Sequence, residues 1–203
     1  MAVVSKPTQA NGSMDYEEMM KTIKYLLDAA WGPKWGSFTQ DGPNVTDAKN
    51  VEYPVILHYI QEMIPGLIGK GVREIKPRIR YTDINKETNG NQPPATNILG
   101  QVFDAEIAFE VWEETNAQVE KVAKRLRQTL SIYAGFLKEK GIKEIIFQKM
   151  ETNKDSSIRD SSKVRKLIYL VRFEELTEVP TDVLRVVDIV EKKLQKETNK
   201  TGE

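Results

Sequence analysis

The stretch VFDAEIAFEVW at residues 102–112 decides the fold. Apolar side chains occupy every second position, namely Phe103, Ala105, Ile107, Phe109 and Val111. The positions between them are taken by Asp104, Glu106, Ala108 and Glu110. Because successive side chains of a strand point to opposite faces, this alternation predicts a strand with one apolar face and one wet face.

The residues after this strand predict a long amphipathic helix that covers its apolar face. Thr115 and Gln118 form the T-x-x-Q pattern of a capping box at the start of a helix. Apolar residues then recur on one helical stripe, namely Val119, Val122, Leu126, Leu130, Tyr133 and Leu137. The basic residues Lys138 and Lys140, followed by Gly141, are typical of a helix end.

Two more strands are predicted towards the C-terminus, at residues 142–150 and 163–176. The second strand places four large apolar residues on one face, namely Leu167, Tyr169, Val171 and Phe173. Ile168 and Leu170 are apolar on the opposite face. The middle of this strand is therefore predicted to be covered on both sides, as in a central strand.

The N-terminal part is predicted to contain one helix, one loop and one further strand. Residues 15–30 repeat apolar side chains at helical spacing, and Ser13 or Asp15 can cap the first turn. Residues 33–50 are expected to form a loop. The β-branched side chains of residues 51–64 favour a strand, with a short helix as the alternative.

Residues 72–84 predict another half-buried strand. The apolar positions of its alternating pattern are Ile75, Ile79 and Tyr81, which are expected to be buried. The charged residues between them, among them Glu74, are expected to face water. Pro77 cannot donate a backbone hydrogen bond to a neighbouring strand, which predicts an edge strand or a break at that point.

Together these elements predict an α+β fold: a single small sheet, mainly antiparallel, with a long amphipathic helix packed on one face and an N-terminal helix. Residues 14–180 form the predicted domain. Residues 1–13 are a polar N-terminal arm with too few large apolar side chains to order alone. Residues 181–203 are a C-terminal extension whose first half fits either a helix or a strand.

The composition argues against several functional classes. Lys and Arg (30) balance Asp and Glu (30), so the chain lacks the net positive charge that drives nonspecific binding to phosphates. The absence of cysteine excludes disulfides, thiolate nucleophiles and zinc-finger sites. No stretch resembles a signal peptide or approaches the roughly 18 apolar residues that a membrane span needs. We therefore expect no membrane contact, no metal and no cofactor.

The side chains predict no catalytic site, and the chain is not expected to be an enzyme. His58 is the single histidine and lies in an apolar segment, which favours a packed or hydrogen-bonded side chain. The glycines of residues 66–71 lack the Ser or Thr that follows the lysine of a phosphate-binding loop, so a turn is predicted there. The enzymatic alternative is a metal-dependent nuclease or hydrolase built on Asp104, Glu106 and Glu110, which share a strand face.

Basic and aromatic residues suggest contacts with other molecules. Lys121, Lys124, Arg125 and Arg127 cluster on the predicted long helix, but interleaved acidic residues favour a solvated face or a protein interface over DNA. Trp31, Trp35 and Phe38 lie close together in and beside the predicted loop. Large aromatic residues in such a position either complete the local core or anchor an interface, and both interpretations are open.

One long part of the chain resembles the neck or tail terminator proteins of tailed bacteriophages. GQVFD at residues 100–104 begins a strand that ends in the WEETN step of residues 112–116. A helix that closes on YAGFLK at residues 133–138 follows. The next strand is GIKEIIF at residues 141–147.

The same pattern finishes with LIYLVRFE at residues 167–174, and EIKPR at residues 74–78 fits it upstream. The resemblance covers roughly residues 50–180 and consists mostly of packing and turn positions. Two segments depart from the pattern. The loop after Met150 is rich in Ser and Asp, where a more basic and aromatic sequence is expected, and the extension after Pro180 does not align.

The resemblance implies a structural virion protein, located in the neck or tail and assembled in the host cytoplasm. Such a protein forms a ring of six subunits that stops polymerisation of the tail tube and joins the tube to the head. Its implied partners are copies of itself, the tail tube protein and the head connector or stopper protein, with DNA contact at most in the ring lumen. A neck, collar or connector-stopper component of the same virion is the alternative.

Two loops and one tryptophan are expected to make the assembly contacts. Residues 85–99 and 152–162 are long, unperiodic and rich in hydrogen-bonding groups, as functional loops often are. The individual residues are Asn85, Lys86, Asn89, Asn91, Lys154, Arg159 and Trp35.

Overall fold

The computed structural model describes residues 8–9, 14–41, 53–68, 71–83, 96–152 and 163–180. The helices of these residues are α1 (Tyr16–Trp31), α2 (Asn116–Ile132) and α3 (Ala134–Glu139). Their strands are β1 (Thr8–Gln9), β2 (Ser37–Thr39), β3 (Val55–Pro65), β4 (Leu67–Ile68), β5 (Val72–Arg73), β6 (Arg78–Asp83), β7 (Thr96–Glu113), β8 (Ile142–Thr152) and β9 (Lys163–Pro180). The predicted α+β class, the mainly antiparallel sheet and the N-terminal helix are confirmed.

The chain divides into two compact units, and the long strands β7 and β9 contribute to both. The large unit comprises Met14–Glu74 and Val102–Glu174. The small unit comprises Met1–Ser13, Ile75–Gln101 and Glu175–Glu203. The predicted bounds of the arm, the domain and the extension stay predictions.

The sheet of the large unit has the strand order β8–β9–β7–β3–β2. Antiparallel pairing joins β3 to β7 and β8 to β9, whereas β2 runs parallel to β3 with Ser37 opposite Val55. A separate antiparallel hairpin is formed by β4 and β5. Described helices are not long and apolar enough to cross a membrane.

The strand β2 corrects the prediction that residues 33–50 are entirely loop. Three residues are too few for a periodic pattern, and the preceding backbone makes the pairing with β3 possible. Gly36 has a φ of +140°, and a Cβ there would lie 2.2 Å from the carbonyl oxygen of Pro54. Only glycine allows this approach, and the next amide, that of Ser37, then donates to the same oxygen at 2.9 Å. Residues 42–50 lie outside the described residues.

The main core lies between the helices and one face of the large unit's sheet. α1 is capped by Asp15, whose carboxylate accepts the amide hydrogen of Glu18 at 2.8 Å, and it buries Met19, Ile23 and Leu27. The predicted apolar faces of the two long strands are buried against it, namely Ala105, Ile107, Phe109 and Val111 on β7 and Leu167, Tyr169, Val171 and Phe173 on β9. Phe103 is only partly buried at the edge of this core.

The predicted long helix is two helices. Thr115 caps α2 as predicted, since its hydroxyl accepts the amide hydrogen of Gln118 at 3.2 Å. α2 buries Val119, Ala123, Leu126 and Leu130 in the core, but it ends at Ile132. Tyr133 separates it from α3, whose first turn contains Gly135. Glycine is a weak helix former. The helix is therefore least stable near Gly135, and the break lies beside it although the apolar stripe continues.

The opposite face of the sheet buries more side chains than the alternating pattern predicts. Val55, Leu57 and Trp112 form a second cluster of buried side chains there. Ala108 and Ile168 are also buried on this face, which confirms the prediction that β9 is covered on both sides. Asp104, predicted to be wet, is buried as well, because it forms an ion pair that is described below with the site.

The small unit has the strand order β1–β9–β7–β6. β6 pairs antiparallel with residues 96–100 of β7, and β1 pairs antiparallel with Thr177 and Glu178 of β9. The predicted break at Pro77 is confirmed, since β6 begins at the next residue. Residues 96–99, predicted as loop, belong to β7 because β6 offers them a partner. The rest of that predicted loop lies outside the described residues.

Candidate functional site

Most of the predicted assembly contacts lie outside the described residues. These are Asn85, Lys86, Asn89, Asn91, Lys154 and Arg159, and their roles stay predictions. Trp35 is the exception. It is half-buried against the main core, its indole N–H donates to the carboxylate of Asp28 at 2.8 Å, and its ring meets Trp31 edge-on at 5.0 Å. These aromatic residues were expected either to complete the local core or to anchor an interface. The contacts of Trp35 fit the first interpretation.

His58 is a packed and hydrogen-bonded histidine, as its apolar surroundings predict. It is 6% exposed, stacks on Phe38 with ring centroids 4.3 Å apart, and its Nδ1 lies 2.8 Å from the hydroxyl of Tyr16. Burial lowers the pKa of His58 to about 4. The imidazole is therefore neutral at pH 7, and its Nδ1 lone pair can accept the Tyr16 hydroxyl hydrogen.

The carboxylates of the enzymatic alternative are engaged with other side chains. Asp104 accepts two hydrogen bonds from the guanidinium of Arg172, at 2.6 and 3.0 Å, and one from the amide of Leu67 at 3.2 Å. Burial alone raises the pKa of Asp104, but these hydrogen bonds outweigh it and leave the pKa below its ordinary value. Glu110 accepts a hydrogen bond from the hydroxyl of Tyr59 at 2.7 Å.

Within the described part of the chain, no three His, Asp or Glu side chains are grouped so that they could hold one metal ion. The third carboxylate of the proposed set, Glu106, stands opposite Glu62 of β3, and its charge interacts with that of Lys149 on β8. A bidentate pairing with Arg172 leaves Asp104 little capacity to bind a cation.

The basic residues of α2 contact aromatic rings of the same chain, line an open groove, or do both. The guanidinium of Arg125 lies 4.7 Å from the Trp31 ring centroid, and that of Arg127 lies 5.4 Å from the Phe147 ring centroid. Lys121, Lys124 and Arg127 line a groove of about 410 Å³ together with Met150 of β8. Glu120, which also lines the groove, forms an ion pair with Arg165 at 2.6 Å.

Three apolar side chains of the small unit, those of Ile75, Ile79 and Tyr81, are exposed. Their exposed fractions are 78%, 59% and 52%. The expectation that these three side chains are buried is therefore wrong for the isolated chain. Ile75 precedes β6, and the register shift sets Ile79 opposite Leu99 but Tyr81 opposite Ile98, so the three side chains do not share one face.

Glu74 explains why the alternating pattern was misleading at this point. It belongs to the large unit, is 0% exposed, and its carboxylate accepts the amide hydrogen of Val102 at 2.9 Å. Its own amide donates to the carbonyl of Gly66 at 2.9 Å. The single sequence signal was Pro77, which interrupts the alternation before β6 begins.

Comparisons with known proteins add no family to this description. A scan against models of protein families and a search of curated proteins both find no match for the chain.

Proposed function

We propose that this chain is a structural subunit of a tailed-phage virion, which forms a ring at the head-proximal end of the tail, stops tube polymerisation and joins the tube to the head connector. The proposal rests on the resemblance of residues 100–174 to tail terminator proteins. It assigns the protein to the neck or tail of the virion, after assembly in the host cytoplasm. It assigns no catalytic activity.

One observation carries the proposal: two of the motifs that define the resemblance meet in the structure. Asp104 is the last residue of GQVFD, and Arg172 is the arginine of LIYLVRFE. They form a bidentate ion pair although they are 68 positions apart in the chain. The two motifs thus lie on strands, β7 and β9, that the ion pair joins. This contact is a physical reason for the two motifs to occur together.

The order of elements also supports the proposal. The resemblance implies a strand, a helix, a strand and a final strand over these residues. The order β7, α2–α3, β8, β9 agrees with this sequence of elements. The YAGFLK motif coincides with the junction of α2 and α3, where Tyr133 separates the two helices and Gly135 lies in the first turn of α3.

Gene inactivation in the phage tests the proposal. We expect overlong tails or free polytubes, because tube subunits continue to add when no ring caps the growing end. Tails of normal length that remain unattached to DNA-filled heads would instead assign the chain to the alternative, a neck or connector-stopper component. Normal virions would overturn both assignments.

A further inference from the structure

We infer that the groove between α2 and β8 binds an acidic segment of another protein, which lies extended along β8 and places its carboxylates against Lys121, Lys124 and Arg127. All residues that line the groove belong to the large unit. This partner site goes beyond the proposed function and does not depend on the ring, because the contacts that carry it lie within one chain.

Three cations form a row along one wall of the groove. Lys121, Lys124 and Arg127 follow one another at intervals of three residues on α2, and all three are exposed. With a rise of about 1.5 Å per residue, the row covers about 9 Å of the helix axis. In an extended segment, alternate side chains point to one side and lie about 7 Å apart. Two successive carboxylates on that side therefore fit the row.

Two of these cations have no counter-charge within the described part of the chain. Neither Lys121 nor Lys124 forms an ion pair there, and the guanidinium of Arg127 lies 5.4 Å from the ring centroid of Phe147. Glu120, the acidic residue of the lining, is already paired with Arg165 at 2.6 Å. The lining thus has an excess of positive charge, which attracts an anionic partner.

The other wall of the groove adds no net charge of its own. On β8, Glu144 pairs with Lys138 at 2.7 Å, and Lys149 pairs with Glu151 at 2.7 Å. The positive excess therefore comes from α2. It directs the carboxylates of the partner towards the helix.

The floor of the groove is apolar. Ala123 of α2 is fully buried, whereas Met150 of β8 is 46% exposed. Met150 stands opposite Leu167 of β9, which is buried in the main core, so both side chains lie on the helix-covered face of the sheet. Methionine adapts its shape to apolar groups that cover it. A peptide has such groups, whereas a free anion such as phosphate has none.

The backbone of β8 favours an extended partner. Among the described residues β8 pairs with β9 alone, so it is an edge strand of the large unit's sheet. Its pairing with β9 is regular over residues 149–152, beyond the register shift that follows Phe147. An edge strand can accept a further strand, and alternate side chains of the added strand then lie on the α2 side, beside the groove.

The lining disfavours a nucleic acid as the occupant. Sites for single strands combine a basic channel with aromatic side chains on which the bases stack. The described lining contains no aromatic side chain, and the nearby ring of Phe147 lies against Arg127. A phosphate backbone in the groove would also meet the carboxylate of Glu120.

Binding of a synthetic peptide to the full chain tests the site. The probe is Glu-Ser-Glu-Ser-Leu-Ser-Glu-Ser-Glu with a neutral fluorescent dye, which as a strand carries its leucine and all its glutamates on one side. Fluorescence anisotropy at low salt should show saturable binding. Lys124→Glu should weaken it at least about fivefold, since an attraction becomes a repulsion. Lys121→Glu is a second variant with the same expectation.

Lys34→Glu is the matched control for these variants. Lys34 is exposed outside the groove, and its replacement changes the net charge by the same amount. This variant should bind the peptide as the wild type does. Circular dichroism should show the same helix content in all variants, because the replaced side chains are exposed.

Altered probes test the apolar floor and the class of partner. A peptide with serine in place of the leucine should bind several-fold more weakly, because Met150 then loses its apolar partner. A peptide with lysine in place of each glutamate should not bind. Single-stranded DNA of nine thymidines should bind more weakly than the acidic peptide.

Several results would overturn the inferred site. Absence of saturable binding of the acidic peptide up to about 1 mM would exclude it. Equal binding by the wild type, Lys121→Glu and Lys124→Glu would place the contact elsewhere. Equal affinity of the leucine and serine peptides would remove the apolar floor from the site. Thymidine DNA that binds more tightly than the peptide, and less tightly to Lys124→Glu, would make the groove a nucleic-acid site. These results leave the ring untouched, which gene inactivation tests separately.

Discussion

At the scale of single residues, the ion pair of Asp104 and Arg172 joins β7 to β9 in the large unit. Arg172 forms two hydrogen bonds to the carboxylate, and a third comes from the backbone of Leu67. The side chain of Asp104 is nearly buried, whereas that of Arg172 is about one third exposed. Such a pair contributes more than an exposed ion pair and less than a fully buried one.

Replacing Asp104 should therefore destabilise the fold measurably. We expect Asp104→Asn to lower the free energy of unfolding by about 2 kcal/mol, because Arg172 is left partly buried without its counter-charge. The measurement is urea unfolding at pH 7, followed by circular dichroism. Glu151→Gln, which removes an exposed pair with Lys149, is the control and should leave the midpoint unchanged.

The same contact fixes a pH dependence. The pKa of Asp104 is lower in the folded chain than in the unfolded chain, so its contribution is present above the unfolded-state pKa of about 4. It is lost as the pH falls below that value. The difference in stability between wild type and Asp104→Asn should thus shrink between pH 5 and pH 3, and a constant difference would contradict this account.

His58 provides the second prediction at this scale. As the single histidine, it gives one imidazole Hε1 resonance in a proton NMR titration, and we expect that resonance to report a pKa near 4. Because the folded-state pKa is below the ordinary value near 6.5, protonation favours the unfolded chain as the pH falls from 6.5 towards 4. His58→Gln should reduce this loss of stability. A titration midpoint near 6.5 would show that the imidazole is exposed to solvent.

At the scale of elements, α2 stabilises the sheet through one narrow stripe. Leu126 is fully buried on that stripe, whereas Ile132, at the end of the same helix, is mostly exposed. The apolar periodicity separates the two, because the predicted stripe includes Leu126 and not Ile132. Both are large aliphatic residues on one helix, and their position around the helix decides the difference.

Truncation of each side chain should show this difference. Leu126→Ala is expected to lower the free energy of unfolding by about 3 kcal/mol, from lost burial and the cavity that remains. Ile132→Ala should change it by less than about 0.5 kcal/mol, as is usual for exposed positions. The measurement is again urea unfolding, and equal effects of the two substitutions would contradict the packing of α2.

The elements differ in how well the sequence predicts them. β7 and β9 follow from alternation over many residues, because both have one face buried by helices. β2 does not, since its three residues pair with β3 only because Gly36 permits the close backbone approach. The apolar stripe continues past Tyr133 and favours one long helix. Gly135 weakens the helix at this point, and the helix breaks at Tyr133.

The exposure of Ile75, Ile79 and Tyr81 was missed for a related reason. Alternation predicts that one face of a strand is buried, but it does not say whether the same chain or another molecule covers that face. Ile75, Ile79 and Tyr81 have the pattern of a buried face, and the buried neighbour is instead Glu74. The exposure of these side chains therefore needed the structure.

At the scale of the whole molecule, the strands of the two units should differ in their protection from hydrogen exchange. Residues 105–111 of β7 lie between β3 and β9, so their amides are expected to exchange with solvent slowly in every state. Among the described residues β6 pairs with β7 alone. The amides of β6 are therefore expected to exchange faster.

Hydrogen exchange measures this difference. Exchange in residues 78–83 should be several-fold faster than exchange in residues 105–111. α1 serves as an internal control, because it packs within the large unit. Equal protection of residues 78–83 and 105–111 would contradict this account.

The ion pair of Asp104 and Arg172 also constrains how this sequence can diverge. A change of either residue alone leaves one charge without its partner at a nearly buried position, so substitutions at the two sites should be accepted mainly together. Distant relatives should therefore carry both residues or neither. Covariation of these two positions would identify such relatives even where the loops and the ends of the chain have no detectable similarity.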